Sequence, residues 1–385
     1  MGGERLRWRP FALPLRSAFR SALPGVAGEL RVREGLLLAI DDGEGSTGWG
    51  EAMPLPLPGA PTANELAALL DEDAPVLAEP ERTPPALRCG LEAALLDLEG
   101  QRCGLPIAAL LAAGAQPMAV VEVNAVIDAD AVEPAAVAAA GRVAVADGFA
   151  TLKLKVGVEG LAVDLARVRA LREACPGTRI RLDANGAWAE PIARLALERL
   201  TPLEIELVEQ PLAAGEVTAL ARLRERSSIP LAADEALAEP GMAERLIDAG
   251  AVDALVLKPA VLGGVRAAAA LAARAREAGM GAFVTTTVDS SLGTALALQL
   301  AAGLNGTAEG TQLAHGLATG LALERDLVAA PLLPERGRMA LPDAPGLGIA
   351  PDEAAIERAA TGPWSAPRAL GAHPTLGAVT APSVG

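Results

Sequence analysis

Tyrosine is missing from this 385-residue chain, and aromatic residues of every kind make up only 2% of it. A protein without phenols cannot use one as a catalytic acid. One this poor in rings cannot present a row of stacking platforms for bases. Basic residues are also scarce: 33 Lys and Arg stand against 48 Asp and Glu, leaving a net charge of −15 that repels phosphate backbones. Nucleic-acid binding is therefore excluded as an expected role. Cys89, Cys103 and Cys175 are odd in number and lack CxxC spacing. That argues against a disulfide framework or a thiolate zinc site and for free thiols in a reducing compartment. No long uncharged apolar run is present, and the N-terminal stretch "MGGERLRWRPFALPLRSAF" is interrupted by Arg and Pro before a signal-type core can form. These absences lead us to expect a soluble, cytoplasmic protein that acts on a small molecule and makes no membrane contact.

What is present suits a compact globular chain: 51% hydrophobic residues, with 40 Gly and 30 Pro. The length allows two domains, or one large barrel with an added module. Residues 1–60 read as β, with "LRWRPFALPL" and "REGLLLAIDDGEGSTGWGEAMPL" flanking "RSAFRSALPGVAGEL", expected to be a mobile loop. "TANELAALLDEDAPVLAE" and "PPALRCGLEAALLDLEGQRCG" carry apolar residues at helical spacing. Residues 1–115 thus form an α+β module. From about 116 to 327, short apolar strands alternate with Ala/Leu/Arg-rich helices. The expected strands are "MAVVEVNAVI", "FATLKLKV", "RIRLDA", "EIELVE", "IPLAADE", "ALVLKPA", "GAFVTTT" and a weak "GTQLAHG". About eight such units predict a parallel (β/α)8 TIM-type barrel. An open doubly wound sheet would call for a Gly-rich loop after its first strand, and "VNAVIDADAVEP" has none. Residues 328–360 are expected to return and complete the first module, and residues 361–385 to form a disordered tail.

Five consecutive barrel strands end in a charge: Lys155, Asp183, Glu209, Asp234 and Lys258, separated by 28, 26, 25 and 24 residues. Each gap is one βα unit, so all five fall on the C-terminal rim, where barrel enzymes place their chemistry. Three converging carboxylates repel one another unless a cation lies between them. As hard oxygen donors without His or Cys they suit Mg²⁺, or Mn²⁺, better than Zn²⁺. Lys153 and Lys155 lie on one side of this trio and Lys258 on the other. A neighbouring ammonium and a divalent cation both disfavour a charged lysine, so Lys153 is expected to make Lys155 available as a base. A cation that binds a carboxylate, with amines beside it, is equipped to remove the proton α to that carboxylate and to stabilise the resulting enediolate. A Lys base working beside Mg²⁺ is an established solution to this kind of proton abstraction.

The runs "KLKVG", "RLDANGAW", "ELVEQPL", "PLAADEAL", "VLKPAVLGG" and "TTTVDSSLG", with "GWGEA" and "LEAALLDLEGQRCGLPIAALL" upstream, resemble the enolase superfamily and its muconate-lactonising subgroup. The resemblance reaches to about residue 355. It implies an α+β capping domain on a modified barrel, one Mg²⁺ held by Asp183, Glu209 and Asp234, and catalytic lysines Lys155 and Lys258 facing each other across the substrate. No His follows the seventh strand, where mandelate-racemase-like members carry a base; the chain's only histidines are His315 and His373. "RSAF", "WGEAMPLPLPG", "VTTTVDSSLG" and "AHGLATGLALERDL" are similar to the o-succinylbenzoate synthase family. That likeness implies a hydro-lyase of menaquinone synthesis that dehydrates a hydroxycyclohexadiene carboxylate bearing a succinyl group. By this analogy Lys155 takes the α-proton and returns it to the departing hydroxide, while Lys258 acts electrostatically. N-succinylamino-acid racemases and dipeptide epimerases use the same two lysines and are the alternative. The racemase branches tend to carry Arg three residues after the second lysine, where this chain has Val261. Members of the subgroup often assemble, so a homo-oligomer is compatible with the reading.

Supporting roles follow from position. Arg181 shares a strand face with Asp183 and is expected to neutralise substrate charge or to sit in an outward ion pair. Ser290, Ser291 and Gly293 open a predicted helix whose amides suit a substrate carboxylate. Asn185 and Glu235 are expected to support the metal ligands. Arg16, Ser17 and Arg20 are loop residues able to close over substrate, and Trp188 and His315 are read as structural.

Overall fold

A computed structural model describes residues 3–20, 29–55, 59–72, 82–112, 116–127, 132–305 and 313–370. Three antiparallel strands open the chain: β1 (Arg5–Arg20), β2 (Glu29–Asp41) and β3 (Thr47–Ala52). The β2–β3 turn is built by the Asp42 carboxylate, which accepts the amides of Glu44 and Ser46 at 2.8 and 3.0 Å. Strand β1 runs on through Arg16–Arg20, with Phe19 opposite Leu30 and Arg20 opposite Glu29 after an irregularity. The stretch expected to be a loop is therefore partly strand. Arg16 and Ser17 are exposed on it, while residues 21–28 and the Arg20 side chain lie outside the described residues.

Helices α1 (Ala63–Asp71) and α2 (Pro85–Cys103) cover one face of this sheet. A Thr62–Glu65 capping box starts α1, and Gly104 in the left-handed conformation ends α2. Trp8, Leu36, Leu38, Ile40, Leu66, Leu87, Leu91 and Leu95 form the core between sheet and helices. Each such large side chain contributes about 1.5–3 kcal/mol by leaving water. The "GWGEA" strand lies directly on α2: a Cβ added at Gly50 would come within 2.0 Å of the Gly90 carbonyl. The short helix α3 (Ile107–Leu111) then leads to the barrel.

The barrel opens differently from expectation. "MAVVEVNAVI" divides into β4 (Val120–Glu122) and β5 (Ala125–Ile127). Strand β4 pairs antiparallel with residues Arg338–Ala340 of the returning segment, so β5 alone joins the parallel sheet. After β5 come α4 (Pro134–Ala146), β6 (Thr151–Lys155), α5 (Leu161–Ala174), β7 (Arg179–Asp183), α6 (Glu190–Leu200) and β8 (Ile205–Glu209). There follow α7 (Val217–Arg226), β9 (Leu231–Ala233), α8 (Met242–Asp248), β10 (Ala254–Leu257), α9 (Pro259–Leu262), α10 (Val265–Glu277), β11 (Gly281–Val284) and α11 (Ser291–Asn305). Seven parallel strands lie in the order β11-β10-β9-β8-β7-β6-β5. The predicted eighth strand survives as His315–Gly316, which bridges Val123 on one side and Thr285 on the other and closes the ring; residues 306–312 lie outside the described residues. Period-two alternation sorts the side chains. Leu152, Leu154, Ile180 and Leu182 pack outward against the helices, while Leu207, Ala232, Ala254, Val256 and Phe283 fill a separate small core inside. The architecture is a modified TIM barrel with an α+β cap.

The returning segment supplies β12 (Arg338–Ala340), which pairs with β4, and α12 (Glu353–Ala359). It ties to the cap through Ile107 N to Gly346 O at 3.0 Å and Leu347 N to the Asp97 carboxylate at 2.7 Å. Residues 361–370 correct the expectation of a disordered tail from 361. Strand β13 (Arg368–Ala369) pairs with the β1 edge, Trp364 sits 6.3 Å from Trp49, and Arg7 stacks 4.7 Å over Trp364. An open sheet edge and an apolar ring recruit this segment although its Pro- and Gly-rich composition argues against order. Residues 371–385 lie outside the described residues.

Candidate active site

Register brings the charged strand ends together. Lys155 lies opposite Asp183, and Asp183 opposite Glu209, in the aligned ladder of β6, β7 and β8. Asp234 follows the end of β9, and Lys258 directly follows β10. Asp183, Glu209 and Asp234 are 1%, 0% and 4% exposed, and one carboxylate oxygen from each lies within 4.8 Å of the others. Glu209 Oε1 is buried without a hydrogen-bond partner, and the buried Asp234 Oδ1 has only the Lys258 ammonium beside it, at 2.6 Å. A buried carboxylate oxygen left without a donor, in a hard, all-carboxylate set, fits a divalent cation such as Mg²⁺. Asp183, Glu209 and Asp234 are the residues that would hold it.

The lysines flank the trio as expected from their spacing. Lys153 Nζ is 3.0 Å from Asp183 and donates to Glu209. Lys155 Nζ donates to Asn185 Oδ1 at 2.6 Å and lies 3.5 Å from Asp183. Across the trio, Lys258 Nζ reaches Asp234 at 2.6 Å. Electrostatics at Lys153 and Lys258 follow the carboxylates. Burial lowers the pKa of Lys153, but Asp183, Glu209 and Asp234 outweigh it and hold the group above the ordinary lysine range. Burial and Asp234 oppose each other in the same way at Lys258, and its pKa is also raised. Carboxylates at contact distance win over the neighbouring ammonium, so these two amines are held charged. Asp183, in turn, is kept well below the usual carboxylate range against its burial by Lys153 and Lys155.

Supporting residues divide. Asn185, buried and at φ 43°, accepts from Lys155 and donates its amide to Asp183 Oδ1 at 3.0 Å. Glu235 has both carboxylate oxygens buried without a partner and is pushed up to about 7 by burial, then by Asp234 and Asp183.

Arg181 is not brought to the group. Its guanidinium, fully buried, donates to Glu206 and to the Ala314 carbonyl at 2.6 Å and lies 4.5 Å over the Phe283 ring. It belongs to the inner core, below the rim. The α11 start is likewise not open to a ligand, because the protein supplies the carboxylates itself. Ser290 donates its hydroxyl and amide to Glu51, and Ser291 donates both to Asp326. A Cβ on Gly293 would meet Glu51 Oε1 at 2.2 Å. Trp188 is buried in the core. His315 is buried, accepts the Val284 amide on Nδ1 at 3.0 Å, and is pushed down to about 3 by burial and Arg181.

Sequence reasoning missed residues that act through the backbone. Arg167 on α5 donates to the Lys155 carbonyl at 3.0 Å, and Asp164 accepts the Gly157 amide at 2.8 Å. Both are buried helix residues whose partners are main-chain atoms, which leave no mark in a sequence. Gln210 is a third, and its neutral side chain hides it beside Glu209.

Comparison with known proteins agrees with this geometry. The model of the family "Enolase C-terminal domain-like" matches residues 135–355. An o-succinylbenzoate synthase of Thermobifida fusca (strain YX) is 35% identical over 332 residues, covering 86% of this chain and 85% of the relative. The L-Ala-D/L-Glu epimerase of Bacillus subtilis (strain 168) is 26% identical over 90% of this chain and 96% of its own. The structure of muconate lactonizing enzyme from Pseudomonas fluorescens complexed with muconolactone superposes with a TM-score of 0.83 at 25% identity, covering 94% of this chain and 100% of that one. This chain belongs to the enolase C-terminal domain-like family and is an enzyme of the enolase superfamily, in its muconate-lactonising subgroup.

Proposed function

We propose that the protein is an o-succinylbenzoate synthase: a Mg²⁺-dependent hydro-lyase that dehydrates a succinyl-hydroxycyclohexadiene carboxylate in menaquinone synthesis, in the cytoplasm. The observation that carries the reading is the buried carboxylate trio with an amine on either side, Lys155 on β6 and Lys258 after β10. The 35% identity to an o-succinylbenzoate synthase supports the finer assignment, as does neutral Val261 three residues after Lys258.

A bound Mg²⁺ would offset the negative charge that gathers on the substrate carboxylate as the α-proton leaves. Lys155, oriented by Asn185, takes that proton as its free amine. The same ammonium then protonates the hydroxyl as the C–O bond breaks, so the C–H and C–O bonds are exchanged for a ring double bond and water. Lys258 keeps its charge beside Asp234 and adds electrostatic stabilisation from the opposite side. Lys153 bridges Asp183 and Glu209 and holds the two carboxylates close together.

The test is a direct assay. With Mg²⁺ the protein should convert the cyclohexadiene carboxylate to the aromatic product, a chelator should abolish turnover, and Lys155→Ala should lower kcat by about 10²–10⁴-fold. An epimerase or racemase on this scaffold would behave differently. It would leave that substrate unchanged and exchange the α-hydrogen of dipeptides or N-succinylamino acids with solvent deuterium, from both enantiomers. That result would replace the synthase reading.

A further inference from the structure

Gln210 touches the chain at the ends of all three strands that carry the carboxylates. It directly follows Glu209 on β8, is fully buried, and sits at φ 37°, a conformation unfavourable for a residue with a side chain. Its carbonyl accepts the Gly186 amide, three residues beyond Asp183, at 2.7 Å. Its own amide donates to Ala232 O on β9 at 2.8 Å. Its side-chain oxygen accepts the Asp234 amide at 2.9 Å and the Ala236 amide at 3.3 Å, while Nε2 donates to Leu212 O at 2.8 Å.

These contacts have a geometric consequence. Asp234 is the point where the chain leaves β9 and turns, with φ −122° and ψ −92°, into the short helix Glu235–Ala238. No strand partner takes its amide there, and a buried amide without an acceptor costs about 1–3 kcal/mol. The Gln210 side chain supplies that acceptor, so the backbone that aims Asp234 is held by the residue next to Glu209. Of the oxygens left over on the two carboxylates, Glu209 Oε1 is buried without a partner and Asp234 Oδ1 has only the Lys258 ammonium at 2.6 Å.

We propose that Gln210 is a positioning residue that sets the spacing of the Glu209 and Asp234 carboxylates and thereby the affinity of the divalent-cation site. The proposal rests on the metal-site reading above. Groups that orient metal ligands typically change affinity about 10–100-fold when removed.

The experiment uses Gln210→Met, which fills the space without an acceptor, and Gln210→Gly, which also relieves the positive φ. Mn²⁺ binding is measured by titration calorimetry, and the Tm is measured in chelator. Glu209→Gln serves as the control for the site. The expected result is an Mn²⁺ Kd raised at least tenfold in the variants that fold, with far weaker binding in Glu209→Gln. A rise under tenfold in a folded variant overturns the proposal and leaves the metal site standing. If neither variant folds, Gln210 serves stability and the proposal falls as well. If the parent protein shows no saturable Mn²⁺ binding that Glu209→Gln removes, the metal-site reading itself fails.

Discussion

Glu51 shows how a single residue can link the cap to the barrel and to pH. It is buried at the end of β3 and accepts from Ser290 at the start of α11. Burial, then Asp289, pushes its pKa up to about 8, against the Ser290 hydrogen bond. In the unfolded chain the same carboxyl titrates near about 4.3. Between those values the folded protein binds more protons than the unfolded one. The contribution of Glu51 is therefore full below about pH 4.3 and lost as pH rises through about 8, by up to about 1.4 kcal/mol per pH unit. Glu51→Gln should flatten the decline in unfolding free energy between about pH 5 and 8, as measured by urea titration. An unchanged slope would mean that Glu51 is ionised in the folded protein.

At the same scale, Arg181 shows the limit of reading strands by period two. It shares a face with Asp183, as the spacing requires. Two residues along a strand are about 6.6 Å, however, and that distance carries it from the wet rim into the inner core. Periodicity gave the face; depth decided the role. Ser290 and Ser291 fail as substrate donors for a related reason. Their partners, Glu51 and Asp326, come from segments 239 and 35 residues away, and no local pattern announces them.

Among the elements, β3 and α2 show a motif explained by contact. Gly48, Gly50 and Gly90 let strand and helix backbones meet: an added Cβ would approach Ala94 O at 2.0 Å, Gly90 O at 2.0 Å and Glu51 O at 2.5 Å. Gly50→Ala should destabilise the cap by roughly 1–3 kcal/mol or more, through overpacking against backbone that cannot move aside. A drop in Tm tests this, and an unchanged Tm would show that α2 shifts freely. The division of "MAVVEVNAVI" into β4 and β5 belongs here too. Its apolar residues read as one strand, yet β12, which follows far along the chain, pairs with the first part only.

For the whole molecule, three buried carboxylates flanked by three lysines at one barrel mouth would couple stability to the binding of a cation there. A cation that binds only the folded state stabilises it by RT ln(1 + [L]/Kd), about 2.7 kcal/mol at a hundredfold excess over Kd. Tm should rise with added Mg²⁺, return on chelation, and lose this response in Asp234→Asn. A Tm independent of Mg²⁺ in the parent protein would contradict a folded-state cation site. Among the described residues, no helix is long and apolar enough to cross a membrane.

The sequence alone determined the alternation of strands and helices and the level of the five strand-end charges. Both follow from local periodicity and from one βα unit recurring every 24 to 28 residues. The tertiary structure decided which carboxylate oxygen stays without a donor, which lysines are held charged, how deep Arg181 lies and what Gln210 holds in place. Those properties depend on distances between segments far apart in the chain and on exclusion of water, and neither quantity is written in the order of residues.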